Sequence, residues 1–213
     1  MSVNNHAKLQ NKIQKLVILA VLAAIVAILQ YFGGAIAIPG TGLSITLTLV
    51  PIVLGAILYG PVFGGVLGTV FGGMVALSVL QGTAGILAAQ MFASRPVLTI
   101  FLCIFKGLAC GAVAGLAGSL LMKKNLYLGV VLSAILCPII NTAIFSLGLV
   151  VFYSEIAIGF AEGASLLAFV IFGIVGVNFV IEFAVNLICA PVIVRVIRAL
   201  KKSGVLKLDT GNV

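Results

Sequence analysis

The sequence predicts an all-α integral membrane protein, a single-domain bundle of six transmembrane helices with both termini cytoplasmic. Three observations carry this expectation. The mean hydropathy is +1.38 and only 8% of the 213 residues are charged, too little polar surface to cover a soluble globule of that size. The apolar stretches run for roughly 17 to 25 residues, the length a helix needs to cross a ~30 Å hydrocarbon core, and nothing shows the short alternating strands of a membrane barrel. One assignment of topology also gathers ten of the twelve Lys and Arg residues on a single side of the membrane.

Residues 1–15 are polar, carry Lys8, Lys12 and Lys15, and read as a cytoplasmic segment ahead of a helix bundle over 16–200. The first crossing runs from Leu16 to about Phe32. Ala35-Ile36-Ala37 has the form of a signal cleavage site. The apolar run exceeds a signal core of about 7–15 residues, however, and hydrophobicity resumes at once, so the segment is expected to remain. Residues 33–43, GGAIAIPGTGL, form a Gly/Pro loop.

Segments two (about Ile45–Leu58) and three (about Pro61–Leu80) then make a hairpin around Gly60-Pro61. Gly60 is expected to close one helix in the left-handed conformation, and Pro61 to open the next, where its missing N–H is no loss. Segment two is short for a crossing at ~1.5 Å per residue, so part of the preceding loop is expected to enter the membrane against protein or a wet cavity, as a candidate lid. Gly64, Gly68 and Gly72 recur every four residues and leave a groove where another backbone can approach.

Residues 81–96 read as a surface connection or a short amphipathic piece. Segment four spans about Val97–Met122, with a second small-residue stripe at Gly107, Gly111, Gly115 and Ser119, and closes on Lys123-Lys124. Segment five, about Leu126–Tyr153, contains Pro138, which should free the carbonyl of Ala134 and kink the helix. A loop with Glu155 and Glu162 leads to segment six, about Leu166–Ile197, and a basic cytoplasmic tail over 201–213. Lys8, Lys12, Lys15, Lys123, Lys124, Arg195, Arg198, Lys201, Lys202 and Lys207 then all lie inside. The positive-inside rule makes both termini cytoplasmic, and the net charge of +8 follows from topology and anionic lipid without a nucleic-acid partner.

The chemistry this chain lacks narrows its function. It has no GxxxxGK[ST] loop for ATP, its only histidine is His6 in the polar amino-terminal segment, and there is no HExxH. The four cysteines lie in apolar segments without CxxC spacing and read as reduced, small core residues. No catalytic residue, metal site or cofactor is expected.

Polar residues inside the membrane are costly, about 2.5–3.5 kcal/mol for a charge on insertion scales, so each one needs a purpose. They are Lys106 in segment four, Asn141 and Thr142 in segment five, and Asn178, Glu182 and Asn186 in segment six. The last three are four apart and share one helix face. Counted from the outer ends, Lys106 is about 14 Å deep, Asn141 and Asn178 about 18 Å, and Glu182 one turn further. Two readings stay open. The groups hold a small polar ligand, with Lys106 on a carboxylate and the asparagines on hydroxyl or amide groups, or Lys106 and Glu182 neutralise each other while the asparagines hold kinked backbone.

The strings ITLTLVPIVLGAILYGPVFGGVLG, PIINTAIFSLG and VNFVIEFAVNLICAPVIVRVI resemble the substrate-binding S components of energy-coupling-factor (ECF) vitamin transporters, over a range from Leu16 to about Lys202. The resemblance implies a multi-pass protein of a bacterial cell membrane that opens outward to bind a water-soluble vitamin. Its partners would be a scaffold transmembrane subunit and two ATP-hydrolysing subunits, the only users of ATP. It also implies docking on the scaffold through an AxxxA face of the first helix, matched here by Ala20 with Ala24 and by Ala23 with Ala27. By spacing alone, such a face packs equally well inside the bundle.

Riboflavin members tend to carry an acidic residue where this chain reads Ser44-Ile45-Thr46, and thiamine members are rich in tryptophan, which is absent here. An asparagine-rich set with one lysine suits a small, flexible, hydroxylated acid better than a flat ring, and the Asn141-Thr142 string is similar to pantothenate members. Pantothenate is the expected ligand. Folate, a pyridoxine-type compound or another vitamin precursor are the alternatives, beside a self-sufficient secondary transporter using Glu182 or Lys106 and a scaffold protein that binds no solute.

Overall fold

In the computed structural model, the described residues are 3–33, 37–38, 43–44, 47–122, 124–161, 165, 168–171 and 179–203. Among the described residues, eight helices have both ends given: α1 Val3–Gly33, α2 Leu49–Tyr59, α3 Pro61–Leu80, α4 Ile86–Ser94, α5 Pro96–Leu121, α6 Leu126–Phe152, α7 Ser154–Phe160 and α8 Val180–Lys202. Between α1 and α2 a two-residue antiparallel ladder pairs β1 (Ala37–Ile38) with β2 (Leu43–Ser44). Within the described residues, this ladder is the one departure from an all-helical chain.

Five of these helices are long and apolar enough to cross a membrane, α1 from Leu9 onward together with α3, α5, α6 and α8. The second expected crossing is shorter still than the sequence suggested. It begins at Leu49 rather than near Ile45 and has 11 residues, about 16 Å at the helical rise. The first helix departs in the opposite direction, winding through the polar segment from Val3 rather than starting at Leu16. The connection over 81–96 holds the nine-residue α4. The loop expected to carry two glutamates begins with α7, which has Glu155 in its first turn. Glu162 lies outside the described residues, as do Lys123, Lys207 and most of the proposed lid. The sixth segment is described as helix from Val180 to Lys202.

The α2–α3 turn follows from two residues. Gly60 has φ +87° and ψ −171°, a positive-φ extended conformation reserved for glycine rather than the left-handed helical one expected. Its N–H donates to the Ala56 carbonyl at 2.8 Å, and Pro61 stands at the first position of α3. The α6 start is capped by Asn125, whose Oδ1 accepts from the N–H groups of Tyr127 at 2.9 Å and Leu128 at 3.3 Å. Helix α6 runs unbroken from Leu126 to Phe152 through Pro138.

The two glycine stripes meet each other. A Cβ at Gly64 would overlap the Gly111 carbonyl, one at Gly68 that of Gly107, and one at Gly72 that of Cys103. Each step of four forward in α3 matches a step of four back in α5, so the pair is antiparallel and in backbone contact along its length. Around this pair pack α2 and α6, with α1 against α2 and α3, and α8 against α6.

The buried apolar side chains divide into clusters. The largest joins α1, α2 and α3 to the later turns of α5, the first turns of α6 and the later turns of α8, including Val26, Ile52, Leu67, Cys110, Val130, Cys137, Ala190 and Ile193. A second joins α4, the start of α5, the end of α6 and α7 through Leu87, Met91, Leu102, Leu149, Tyr153 and Ala157. It is fastened by the Tyr153 hydroxyl, 2.8 Å from Thr99 Oγ1 and donating to the Arg95 carbonyl at 3.2 Å. A third, smaller one joins α3 to α5 through Ala76, Val79 and Cys103.

Candidate functional site

The polar residues fall between these clusters. On α5 Lys106 lies between Leu102 and Cys103 on one side and Cys110 on the other; on α6 Asn141, Thr142 and Ser146 lie between Cys137 and Leu149; on α8 Glu182 and Asn186 precede Ala190. Three helices therefore interrupt their apolar faces at one level, producing a polar layer with an apolar core on either side. Pairing of α5 with α6 and of α6 with α8 brings the three segments together.

Helix α6 is the centre of this layer. Asn141 Nδ2 faces Glu182 Oε2 at 3.5 Å, and Asn186 Nδ2 donates to the Glu182 main-chain carbonyl at 2.8 Å. Relative exposures are 5% for Asn141, 8% for Ser146, 2% for Glu182 and 1% for Asn186. One turn on from Asn141, the Phe145 ring lies 4.9 Å from Lys106 Nζ, and Phe71 of α3 lies 5.9 Å from the same ammonium. Lys106 is half-buried, its charge set over two aromatic faces, an arrangement worth about 0.5–2 kcal/mol according to how far it is desolvated.

Of the six residues singled out in the sequence as ligand groups, Asn141, Glu182 and Asn186 are joined by hydrogen bonds, Lys106 reaches Phe145, one turn from Asn141, and Thr142 is buried next to Asn141 on α6. Asn178 lies outside the described residues. Ser146 was missed. Its signal was the spacing of four from Thr142, which puts both hydroxyls on one face; in an apolar string a serine passes as a small packing residue, because it can bond back to its own helix.

Among the described residues, three buried atoms in the layer have no hydrogen-bond partner: Asn141 Oδ1, Ser146 Oγ and Asn186 Oδ1. Leaving such an atom unsatisfied costs about 1–3 kcal/mol, and folded proteins carry few of them. Polar groups of a ligand, or of ordered water, can complete the bonding of these atoms.

On α1 the two alanine pairs separate. Ala20 and Ala24 are exposed, whereas Ala23 and Ala27 are half-buried on the side of Leu22, Val26 and Gln30, and Ala23 packs against the main cluster. Gln30 Oε1 accepts from Thr48 Oγ1 at 3.1 Å, tying α1 to the residue that precedes α2. All four cysteines are free thiols, three of them buried.

Over residues 14–194 the chain matches the family model for the substrate-specific component of ECF transporters. It belongs to that family. The match takes in α1 from its fourth turn onward, the hairpin, all of α5 and α6 and most of α8, so every described residue of the polar layer lies within it. No curated protein matches the sequence. Membership in the ECF substrate-specific family makes this a multi-pass membrane subunit of a transport system.

Proposed function

We propose that this ECF substrate-specific component binds a small water-soluble vitamin from outside, pantothenate being the first candidate, and passes it inward through an ATP-driven partner module. The observation that carries the reading is the layer of buried polar groups between apolar cores, with three atoms lacking partners beside a half-buried lysine. A carboxylate end has its complement in Lys106, while hydroxyl and amide groups have theirs in Asn141, Ser146 and Asn186. The chain performs no catalysis and takes no cofactor of its own, and ATP is used by two nucleotide-binding subunits joined through a scaffold subunit.

In this reading the chain crosses a plasma membrane of bacterial type six times, the half-length α2 counting as one crossing together with the segment before it. Both termini are cytoplasmic. The described basic side chains Lys12, Lys15, Lys124, Arg195, Arg198, Lys201 and Lys202 then share the inner side. The exposed Ala20 and Ala24 give α1 a small-residue face for the scaffold.

Calorimetric titration of the purified chain, without partners, against pantothenate, folate, pyridoxine and other water-soluble vitamins tests the proposal. Saturable binding of pantothenate supports both role and ligand. Binding of a different vitamin replaces the ligand and keeps the role; uptake into vesicles holding this chain alone, without ATP, would replace the role with self-sufficient transport.

A further inference from the structure

We infer that the ligand meets α6 and α8 with hydrogen-bond donors aimed at the side-chain carbonyls of Asn141 and Asn186, and that the Ser146 hydroxyl bonds the same end of the ligand beside them. This inference rests on the polar layer being the ligand site. The orientation of the two amides fixes the polarity. Both Nδ2 groups are turned to Glu182, one to its main-chain carbonyl at 2.8 Å and the other toward its carboxylate at 3.5 Å. Rotating either amide would set oxygen against oxygen, so the atoms left over are Oδ1 acceptors on both residues.

Ser146 differs from several of the described hydroxyls on the long helices. Thr69, Ser78 and Thr99 each donate to the carbonyl four residues back, at 2.9, 3.1 and 2.9 Å, and Ser133 crosses to the Ala114 carbonyl at 2.8 Å. The Ser146 hydroxyl makes neither kind of bond although it is 8% exposed. A hydroxyl kept from its own backbone in a buried layer serves a partner from elsewhere.

The α6–α8 side of the site therefore offers two carbonyl oxygens and one hydroxyl. The α5 side offers a cation. A ligand matching both has a carboxylate or other acceptor at one end and, at the other, two or three hydroxyl, amide N–H or ammonium groups. A solute whose polar atoms are all acceptors can take only the Ser146 O–H on this side, leaves the amide oxygens of Asn141 and Asn186 without partners, and is disfavoured.

Pantothenate and pantothenol, which carries an alcohol in place of the carboxylate, share the donor end and differ at the other, so the pair separates the two sides. In calorimetric titrations of the full chain, Ser146→Ala is expected to lower affinity for both compounds by the same factor, about five- to tenfold for one lost hydrogen bond. Lys106→Met is expected to lower affinity for pantothenate and spare pantothenol. With the ligand absent, Ser146→Ala is expected to melt at the parent temperature or above it, because it removes an unsatisfied hydroxyl.

Unchanged affinity in Ser146→Ala, or a loss confined to pantothenate, overturns the inference while the vitamin-binding role stands. A lower melting temperature without ligand also overturns it, since the hydroxyl would then be holding the fold. If another vitamin of the panel binds in place of both, the pantothenate assignment falls and Ser146→Ala is read on that compound, where equal affinity again overturns the inference. Silence of the folded chain toward every probe overturns the inference and the vitamin-binding role together.

Discussion

At the scale of single residues, cost decides which positions stand out. Lys106, Asn141, Glu182 and Asn186 were legible in the sequence because a charge or amide within an apolar string is expensive and calls for a partner. Their similar depth already suggested a group, whereas which helices are neighbours was not legible, because that rests on α6 pairing with α5 on one side and α8 on the other. Ser146 escaped for the opposite reason, a hydroxyl costing a membrane helix little when it bonds backward. Glu182 offers the sharpest residue-scale test of the site. Its carboxylate is 2% exposed and faces Asn141, so Glu182→Gln keeps the shape and removes the charge. Hydrogen bonds to charged groups contribute roughly 1.5–3 kcal/mol. The variant is therefore expected to lose at least about tenfold in ligand affinity. Parent-like affinity in a titration would remove Glu182 from the ligand's contacts.

At the scale of elements, the glycine stripes could be seen in the sequence as two grooves at a spacing of four, but a groove does not name its partner. The structure fits them to each other, Gly64 to Gly111 and Gly68 to Gly107, and the reason is reciprocal: only a second strip without side chains can fill the first to backbone contact. The pairing predicts a contrast within α3. Gly68→Ala drives a methyl into the Gly107 carbonyl and forces the helices apart, with an expected loss of about 1–3 kcal/mol or more. Gly73→Ala meets nothing within 4 Å and gains the helix preference of alanine, up to about 1 kcal/mol. Thermal melts of the two variants in detergent check this, and equal melting temperatures would refute the backbone contact. The half-length of α2 was foreshadowed by its short apolar run. The helical extension of α1 to Val3 was not, since lysines and asparagines ahead of an apolar run look the same whether coiled or wound.

At the scale of the whole molecule, the fold combines a part that holds still with a face that stays free. Backbone contact between α3 and α5, with α2 and α6 packed around them, leaves little room for internal rearrangement. Helix α1 contributes Leu22, Val26 and Gln30 to this body and keeps Leu16, Val17, Val21, Ile28 and Tyr31 outside. Lipid covers such a face by itself, so apolar exposure does not imply a partner here. The arrangement of small residues does carry information: Ala20 and Ala24 are exposed one turn apart, where a second helix could approach closely, while Ala23 and Ala27 face the chain's own neighbours. The two pairs, equivalent in the sequence, therefore predict different failures. Replacing Ala20 and Ala24 by phenylalanine is expected to leave melting temperature and ligand affinity near the parent values and to abolish copurification with a coexpressed scaffold subunit. Replacing Ala23 and Ala27 by phenylalanine is expected to lower the melting temperature, because large rings would be driven between α1 and the body, typically by about 1–3 kcal/mol of stability for each overpacked site. Measuring melting, binding and copurification on both double variants separates docking from packing, and copurification surviving in the Ala20/Ala24 variant would move the docking surface off this face of α1.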